Sequence, residues 1–217
     1  MGSDLDLSPA DIAQLRAATL ARGWPWWSAP FDLNLFGIRG ASSQADLYDD
    51  GIGIAWTDAA GHPHGRLFRA TTDPGRPWLQ RPSRASGCAI LVGPAWYRGM
   101  YALGLHKGRA ALVQAGPCRV WRDDDRDAVL GPLANPEGFP VEAGGGINLH
   151  DPGAEDPGKV GYSSAGCQVP WRAAYVGEIR EALQRQTEAG HGGTLSYALH
   201  HANRAPELAA LLSRLES

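Results

Sequence analysis

A single α+β domain, mainly β, is the fold class this sequence predicts, and three observations predict it. Glycine and proline are abundant, 28 and 16 in 217 residues, which favours many turns and short strands over long helices. Between Asp49 and about Trp121, short apolar runs recur, each bounded by Gly or Pro. Helical signals are confined to the first 25 or so residues and to the chain after Pro170. The expected architecture is one twisted, mostly antiparallel β core with N- and C-terminal helices.

The elements follow in order. Ser8-Pro9-Ala10-Asp11 is a helix start: Ser8 caps, Pro9 suits the first turn, and Asp11 favours the positive helix end. Ile12 and Leu15 give the apolar face, and Gly23 ends the run. Trp24, Trp26 and Trp27 then either staple this helix to the body or offer a glycan-stacking platform; aromatic clusters mostly fill cores, so the staple is preferred. Residues 1–40 are read as this helix and Trp-rich segment packed on a domain that fills residues 41–217.

Ile52, Ile54 and Trp56 alternate with Gly51, Gly53 and Ala55, a strand pattern. Leu67 to Thr71 forms the next strand and ends at the turn Asp73-Pro74-Gly75. Ala89 to Val92, Ala111 to Val113 and Arg119 to Trp121 follow. Arg122 to Asp127 reads as a solvated loop. Ala173 to Ala189 is a helix with Tyr175, Ile179 and Leu183 on one stripe. Thr194 to Leu199 is a strand, and Pro206 to Leu215 a terminal helix.

Composition sets the class. Hydrophobic residues make up 43% and charged residues 20% of the chain, ordinary values for a globular protein with a real core. The net charge of −3 gives no reason to expect nucleic acid or an anionic membrane as partner. No run approaches the roughly 20 apolar residues of a membrane span. The first residues have neither a basic start nor an apolar stretch and do not read as a secretory signal. Three cysteines allow at most one disulfide and leave at least one thiol free. Cys88 and Cys118 sit in apolar strand settings; only Cys167, after Ser163-Ser164-Ala165-Gly166, has the small neighbours a reactive thiol wants.

The site candidates centre on Ile147-Asn148-Leu149-His150 and on Cys167. A loop rich in Gly, Pro and acidic residues separates the two and can bring imidazole and thiol together. A cysteine beside a histidine can ionise near neutral pH and attack an acyl carbon. Alternation buries Ile147 and Leu149 and leaves Asn148 and His150 on the other face, with a backbone carbonyl expected to orient the imidazole. The backbone N–H groups of Gly166 and Cys167 are the expected oxyanion donors. Ser164 shapes the turn by hydrogen bonding. His106, in a turn-rich setting, is either a hairpin residue or lines a substrate channel beside Tyr97 and Tyr101. Gly144-Gly145-Gly146 is a flexible lip or a loop needing positive φ.

His150, Ser164, Gly166 and Cys167 together resemble the signature of the L,D-transpeptidase catalytic domain (the YkuD-like domain), in which His-Gly is followed by a variable loop and Ser-x-Gly-Cys. Pro157-Gly158-Lys159-Val160 fills the loop as such loops often are, and the turn Thr72-Asp73-Pro74-Gly75 loosely resembles the family's Thr-Pro-x-Gly turn. Asp151 stands where the family usually has Gly, and Gln168-Val169 where it has an aliphatic residue and then Arg. The close match covers about Gly145 to Pro170. The resemblance implies a β core of that type, Cys167 as nucleophile, His150 as base and Ser164 beside them; Gly146, Gln168, His106, Tyr97 and Tyr101 complete the candidate set as residues near substrate. It also implies peptidoglycan stem peptides as substrate and action in the cell wall or periplasm, reached through phage release, effector secretion or a removed leader.

No cofactor is called for, no metal site is nominated, and a monomer is the expected state. His62-Pro63-His64 and His200-His201 read as exposed pairs rather than ligand sets. Three alternatives stay open: a hydrolase using the same cysteine and histidine (carboxypeptidase, phage lysin or secreted effector), a metal-dependent cell-wall peptidase using His150, Asp151 and a distant histidine, and a non-catalytic binding module.

Overall fold

The computed structural model describes residues 4–41, 44–130, 140–153 and 158–216. A first strand, β1 (Asp4–Asp6), leads into helix α1 (Pro9–Leu20). The cap is reciprocal: Ser8 Oγ accepts the Asp11 N–H at 3.2 Å while Asp11 accepts the Ser8 N–H at 2.9 Å, which satisfies two donors at the helix start. Strands β2 (Asn34–Arg39), β3 (Asp50–Thr57) and β4 (Pro63–Thr71) follow, then the short helix α2 (Arg76–Gln80). Next come β5 (Cys88–Leu91), β6 (Ala95–His106), β7 (Arg109–Gln114), β8 (Arg119–Asp123) and β9 (Val141–Glu142). β10 (Val169–Pro170), α3 (Ala173–Glu188), β11 (Thr194–His201) and α4 (Pro206–Glu216) complete the chain.

The main sheet runs β1-β4-β3-β2-β11-β6-β7, with β10 added along β4; β5, β8 and β9 form a second, smaller sheet. Pairing is antiparallel throughout except for β2 with β11. One core lies between the main sheet, the small sheet and α3, and joins Ile52, Phe68 and Leu199 to Leu91, Val120, Tyr175, Ile179 and Leu183. The other lies on the far face of the main sheet, where Phe36, Ile38 and Leu67 meet α1 and α4. Helices on one face, the sheet, then α3 and the small sheet make the mainly β α+β fold that alternation and end-helix signals predict.

The Ile/Gly alternation of β3 has a packing cause. Ile52 and Ile54 enter the first core. A Cβ on Gly53 would stand 2.4 Å from Phe36, and one on Gly51 2.8 Å from Leu67 and 3.0 Å from Leu212 of α4, so the glycines admit the layer above them. Trp24 and Trp26 pack against the second core, the staple preferred from sequence, whereas Trp27 is exposed and takes no part in it.

Several expectations need correction. Asn34–Arg39, read as part of the N-terminal segment packed on the domain, form β2 and lie between β3 and β11 in the main sheet. Tyr97 and Tyr101 are core residues and do not flank a channel: Tyr97 donates to the Val92 carbonyl at 2.6 Å, and Tyr101 is fully buried against Tyr197. Tyr101 also lies five residues before His106 in a regular stretch of β6, so their side chains leave opposite faces. His200 and His201 are buried in β11 rather than exposed. Asp123, assigned to a solvated loop, is a buried residue at the end of β8.

Candidate functional site

Two short extended segments build the site. Gln168 donates its N–H to the Asn148 carbonyl at 2.8 Å, and His150 donates to the Gln168 carbonyl at 3.2 Å, a parallel bridge centred on Leu149 and Gln168. Leu149 is in turn bonded to Leu112 of β7 in both directions. Residues opposite one another in a parallel pair share a face, and neighbours alternate. Leu149 and Gln168 therefore point inward, while Asn148, His150 and Cys167 share the other face. The alternation of Ile147 and Leu149 against Asn148 and His150 is as expected: the two aliphatic side chains belong to the core.

Gln168 is not at a substrate surface. It is fully buried, accepts the Tyr197 hydroxyl at 2.9 Å and donates to the Thr72 carbonyl at 3.3 Å. Beneath it lies a polar knot. Arg39 pairs with Asp73 at 3.0 Å and donates to the Thr72 hydroxyl and the Leu91 carbonyl. Asp50 accepts from Gly40, from the Thr72 N–H and from the Thr72 hydroxyl, each at 2.7 Å. A buried charge is tolerated where it is paired and hydrogen-bonded on every side. The Thr72–Gly75 turn grows out of this knot and holds the cysteine loop, since the Gly75 N–H donates to the Ser164 carbonyl at 2.9 Å.

The turn before Cys167 is set by Ser164 and Gly166. Ser164 Oγ accepts the Gly166 N–H at 3.2 Å and donates to the Cys167 carbonyl at 2.8 Å. Gly166 has φ +114°, and a Cβ there would stand 2.4 Å from the Ala89 carbonyl oxygen; no other residue fits. This corrects one expectation. The Gly166 N–H is committed to Ser164, which leaves the Cys167 N–H, unbonded among the described residues, as the backbone donor for an oxyanion. Gly144, Gly145 and Gly146 all have positive φ, so the triple glycine is a loop that needs that conformation.

His150 is buried, with 7% exposure. Its Nδ1 lies 2.7 Å from the Asp151 carbonyl. A carbonyl only accepts, so Nδ1 carries the proton and Nε2 presents a lone pair. Nε2 makes no hydrogen bond among the described residues. The backbone of Asp151, rather than its side chain, orients the ring; the Asp151 carboxylate instead pairs with Arg109 at 2.9 Å. The Cys167 thiol donates to the Gly146 carbonyl at 3.3 Å and is not bonded to His150. Catalytic hydrogen bonds are commonly long or poorly aligned in a free site.

Electrostatics sets the resting protonation. Burial pushes the Cys167 thiol up, with the Asn148 backbone and the Lys107 charge pulling the other way. Burial first, and His106 and Lys107 second, bring His150 down to about 4, against the hydrogen bond to Asp151. The pair at neutral pH is thus thiol and neutral imidazole, because both groups are desolvated.

Two clefts flank these residues. One, of about 370 Å3, is lined by His106, Lys107, Arg109, His150, Tyr162 and Ser163 among others. The other, about 170 Å3, is lined by Trp78, Arg84, Arg122, Gly146 and Ala165 among others. Sequence reading missed Lys107, Arg109, Tyr162 and Ser163; Lys107 and Arg109 sit at the β6–β7 hairpin and Tyr162 and Ser163 in a single 3-10 turn, and only the fold brings them to His150. His106 does reach the first cleft, and Gly146 the second. Pro157 of the intervening loop lies outside the described residues. Cys88 and Cys118 are buried thiols pushed up to about 12 by desolvation. Among the described residues, no three His, Cys, Asp or Glu side chains converge as a metal-ligand set, and no helix is long and apolar enough to cross a membrane.

The buried histidines make a stability prediction. His150 and His200 are brought down to about 4 and His201 to about 3, all chiefly by burial. An unfolded histidine titrates near 6.5, so the unfolded chain takes up protons first. Stability is full above about 6.5 and is lost as pH falls toward the folded values. Asp50, raised by burial and by Asp73, acts in the opposite sense, as do the half-buried Asp32 and Glu178, raised chiefly by burial, while His106 adds to the imidazole side. Urea unfolding is expected to show a net loss on the order of 3 kcal/mol between pH 7.5 and pH 5; equal stability at the two pH values would contradict these buried, neutral rings.

Comparison with known proteins finds no matching family model, no matching curated protein and no matching solved structure.

Proposed function

We propose that this protein is a cysteine acyltransferase of the L,D-transpeptidase type, acting on peptidoglycan stem peptides through a thioester on Cys167. One observation carries the reading: Cys167 shares a face with His150, whose Nδ1 proton is tied to the Asp151 carbonyl so that Nε2 is the basic nitrogen. The choice of substrate rests on the resemblance of His150 and Ser164-Ala165-Gly166-Cys167 to that family's signature.

In this reading, Cys167 Sγ attacks a stem-peptide carbonyl carbon while its proton passes to His150 Nε2. The Cys167 N–H stabilises the oxyanion. Collapse breaks the C–N bond, the Nε2 proton goes to the leaving amine, and a thioester remains. An acceptor amine then attacks the thioester, gives its proton to His150, and sulfur leaves as thiol. Water in place of the amine turns the same cycle into hydrolysis, so a hydrolase using this site is the second reading. A metal-dependent peptidase has less support, since His150 and Asp151 are not joined by a third ligand among the described residues.

The test is incubation with purified muropeptides and an amine acceptor, followed by mass spectrometry. Loss of a terminal residue with incorporation of the acceptor supports transfer. Loss without incorporation supports hydrolysis. Unchanged muropeptides would overturn both.

A further inference from the structure

The imidazoles of His106 and His150 lie face to face, centroids 4.1 Å apart and planes within 12°. His106 closes β6 at its hairpin with β7, so a second histidine is delivered to His150 from a different element. Its protonation is legible from hydrogen bonds. The Gln114 N–H donates to Asn148 Oδ1 at 2.9 Å, which fixes the orientation of the Asn148 amide. Asn148 Nδ2 must then be the donor to His106 Nδ1 at 2.9 Å. A nitrogen that accepts carries no proton, so His106 is the neutral Nε2–H tautomer. A second proton on His106 would set N–H against N–H at Nδ1. In the stacked pair, His150 Nε2 is the one basic lone pair left without a hydrogen bond among the described residues.

We propose that Asn148 and His106 are a positioning pair for His150: the His106 ring fixes the plane of the His150 imidazole and stays uncharged while His150 takes a proton. This rests on the thiol–imidazole reading of the site. The charged groups acting on the two rings are Lys107 and Asp151, the latter paired with Arg109. Lys107 opposes charge on either ring and Asp151 favours it, so neither singles out His150. The Asn148 amide does, because it blocks Nδ1 of His106 alone.

The experiment combines 15N NMR titration of the imidazoles with turnover of stem peptides in four proteins. In the unaltered protein, His106 is expected to show the Nε2–H tautomer across neutral pH. Asn148→Asp replaces a donor by a carboxylate that accepts from Nδ1–H; the His106 midpoint should rise by about one pH unit or more. Activity near neutrality should drop about 10-fold, with the acid limb of the pH profile displaced upward. His106→Phe keeps a flat ring and should hold kcat within about 3-fold, whereas His106→Ala should lower kcat about 10- to 100-fold with KM little changed. The proposal is overturned if His106→Ala matches the unaltered kcat, or if Asn148→Asp moves neither the His106 midpoint nor the pH profile. The titrations need no turnover, so they judge the pair even where the acyl-transfer reading has failed.

Discussion

Cys167→Ala is expected to remove turnover, by about 10,000-fold or more, while leaving the thermal midpoint within a few degrees. The two halves have separate causes. Sulfur is the atom that bonds to the acyl carbon in the proposed cycle, and Ser164 has no base of its own to replace it: its hydroxyl is held between the Gly166 N–H and the Cys167 carbonyl. The fold survives because Cys167 contributes little volume and its thiol meets only backbone groups among its described polar contacts, the Gly146 carbonyl and the Asn148 backbone. His150→Ala should cost less, about 100- to 10,000-fold, as loss of a general base does. Steady-state rates beside melting curves decide it. Full activity in Cys167→Ala would place the chemistry elsewhere.

The largest effect on stability is expected from Gly166→Ala. Its φ of +114° is a conformation that L side chains rarely adopt, and the new Cβ would stand 2.4 Å from the Ala89 carbonyl oxygen and 2.9 Å from the Ala89 side chain. Both are on β5, a buried strand of the small sheet, so neither can retreat as an exposed side chain would. Backbone strain and overpacking together should cost about 3 kcal/mol or more. In a chain of this size that lowers the melting temperature by roughly 6–12 °C. The same substitution displaces the Ser164 contact that sets Cys167, so activity should fall with it. A shift of less than a degree would mean that the cysteine loop is not seated against β5.

Much of this was legible in the chain, and the exceptions have physical reasons. The periodic stripe Tyr175, Ile179, Leu183 marks α3 because one face of that helix meets the core and the other meets solvent. The alternation of β3 was legible because its glycines make room for Phe36 of β2 and for Leu212 of α4. β2 escaped because a central strand buried on both faces has no alternation; Asn34–Arg39 is buried at every position. Tyr97 and Tyr101 looked like channel residues because a hydroxyl on a turn-rich segment suggests contact with ligand, whereas their hydroxyls belong to a packed interior. Gln168 misled in the same way. Its position after the cysteine suggests substrate, but parity in the parallel bridge turns it inward, and parity needs the partner strand to be known. At the site, the carbonyl orienter of His150 was foreseeable from the directions of adjacent side chains. The stack with His106 was not, because nothing in a single sequence tells that the tip of one hairpin reaches the end of another strand.

The most direct test is intact-mass analysis of the folded protein after treatment with a carbapenem or another thiol-directed acylator, on the unaltered chain and on Cys167→Ala and His150→Ala. The account predicts a single adduct that maps to Cys167, absent in Cys167→Ala and formed much more slowly in His150→Ala, with Cys88 and Cys118 unmodified. An adduct that persists in Cys167→Ala, or that forms at the same rate without His150, would contradict the central claim that these two side chains act as one nucleophile and its base.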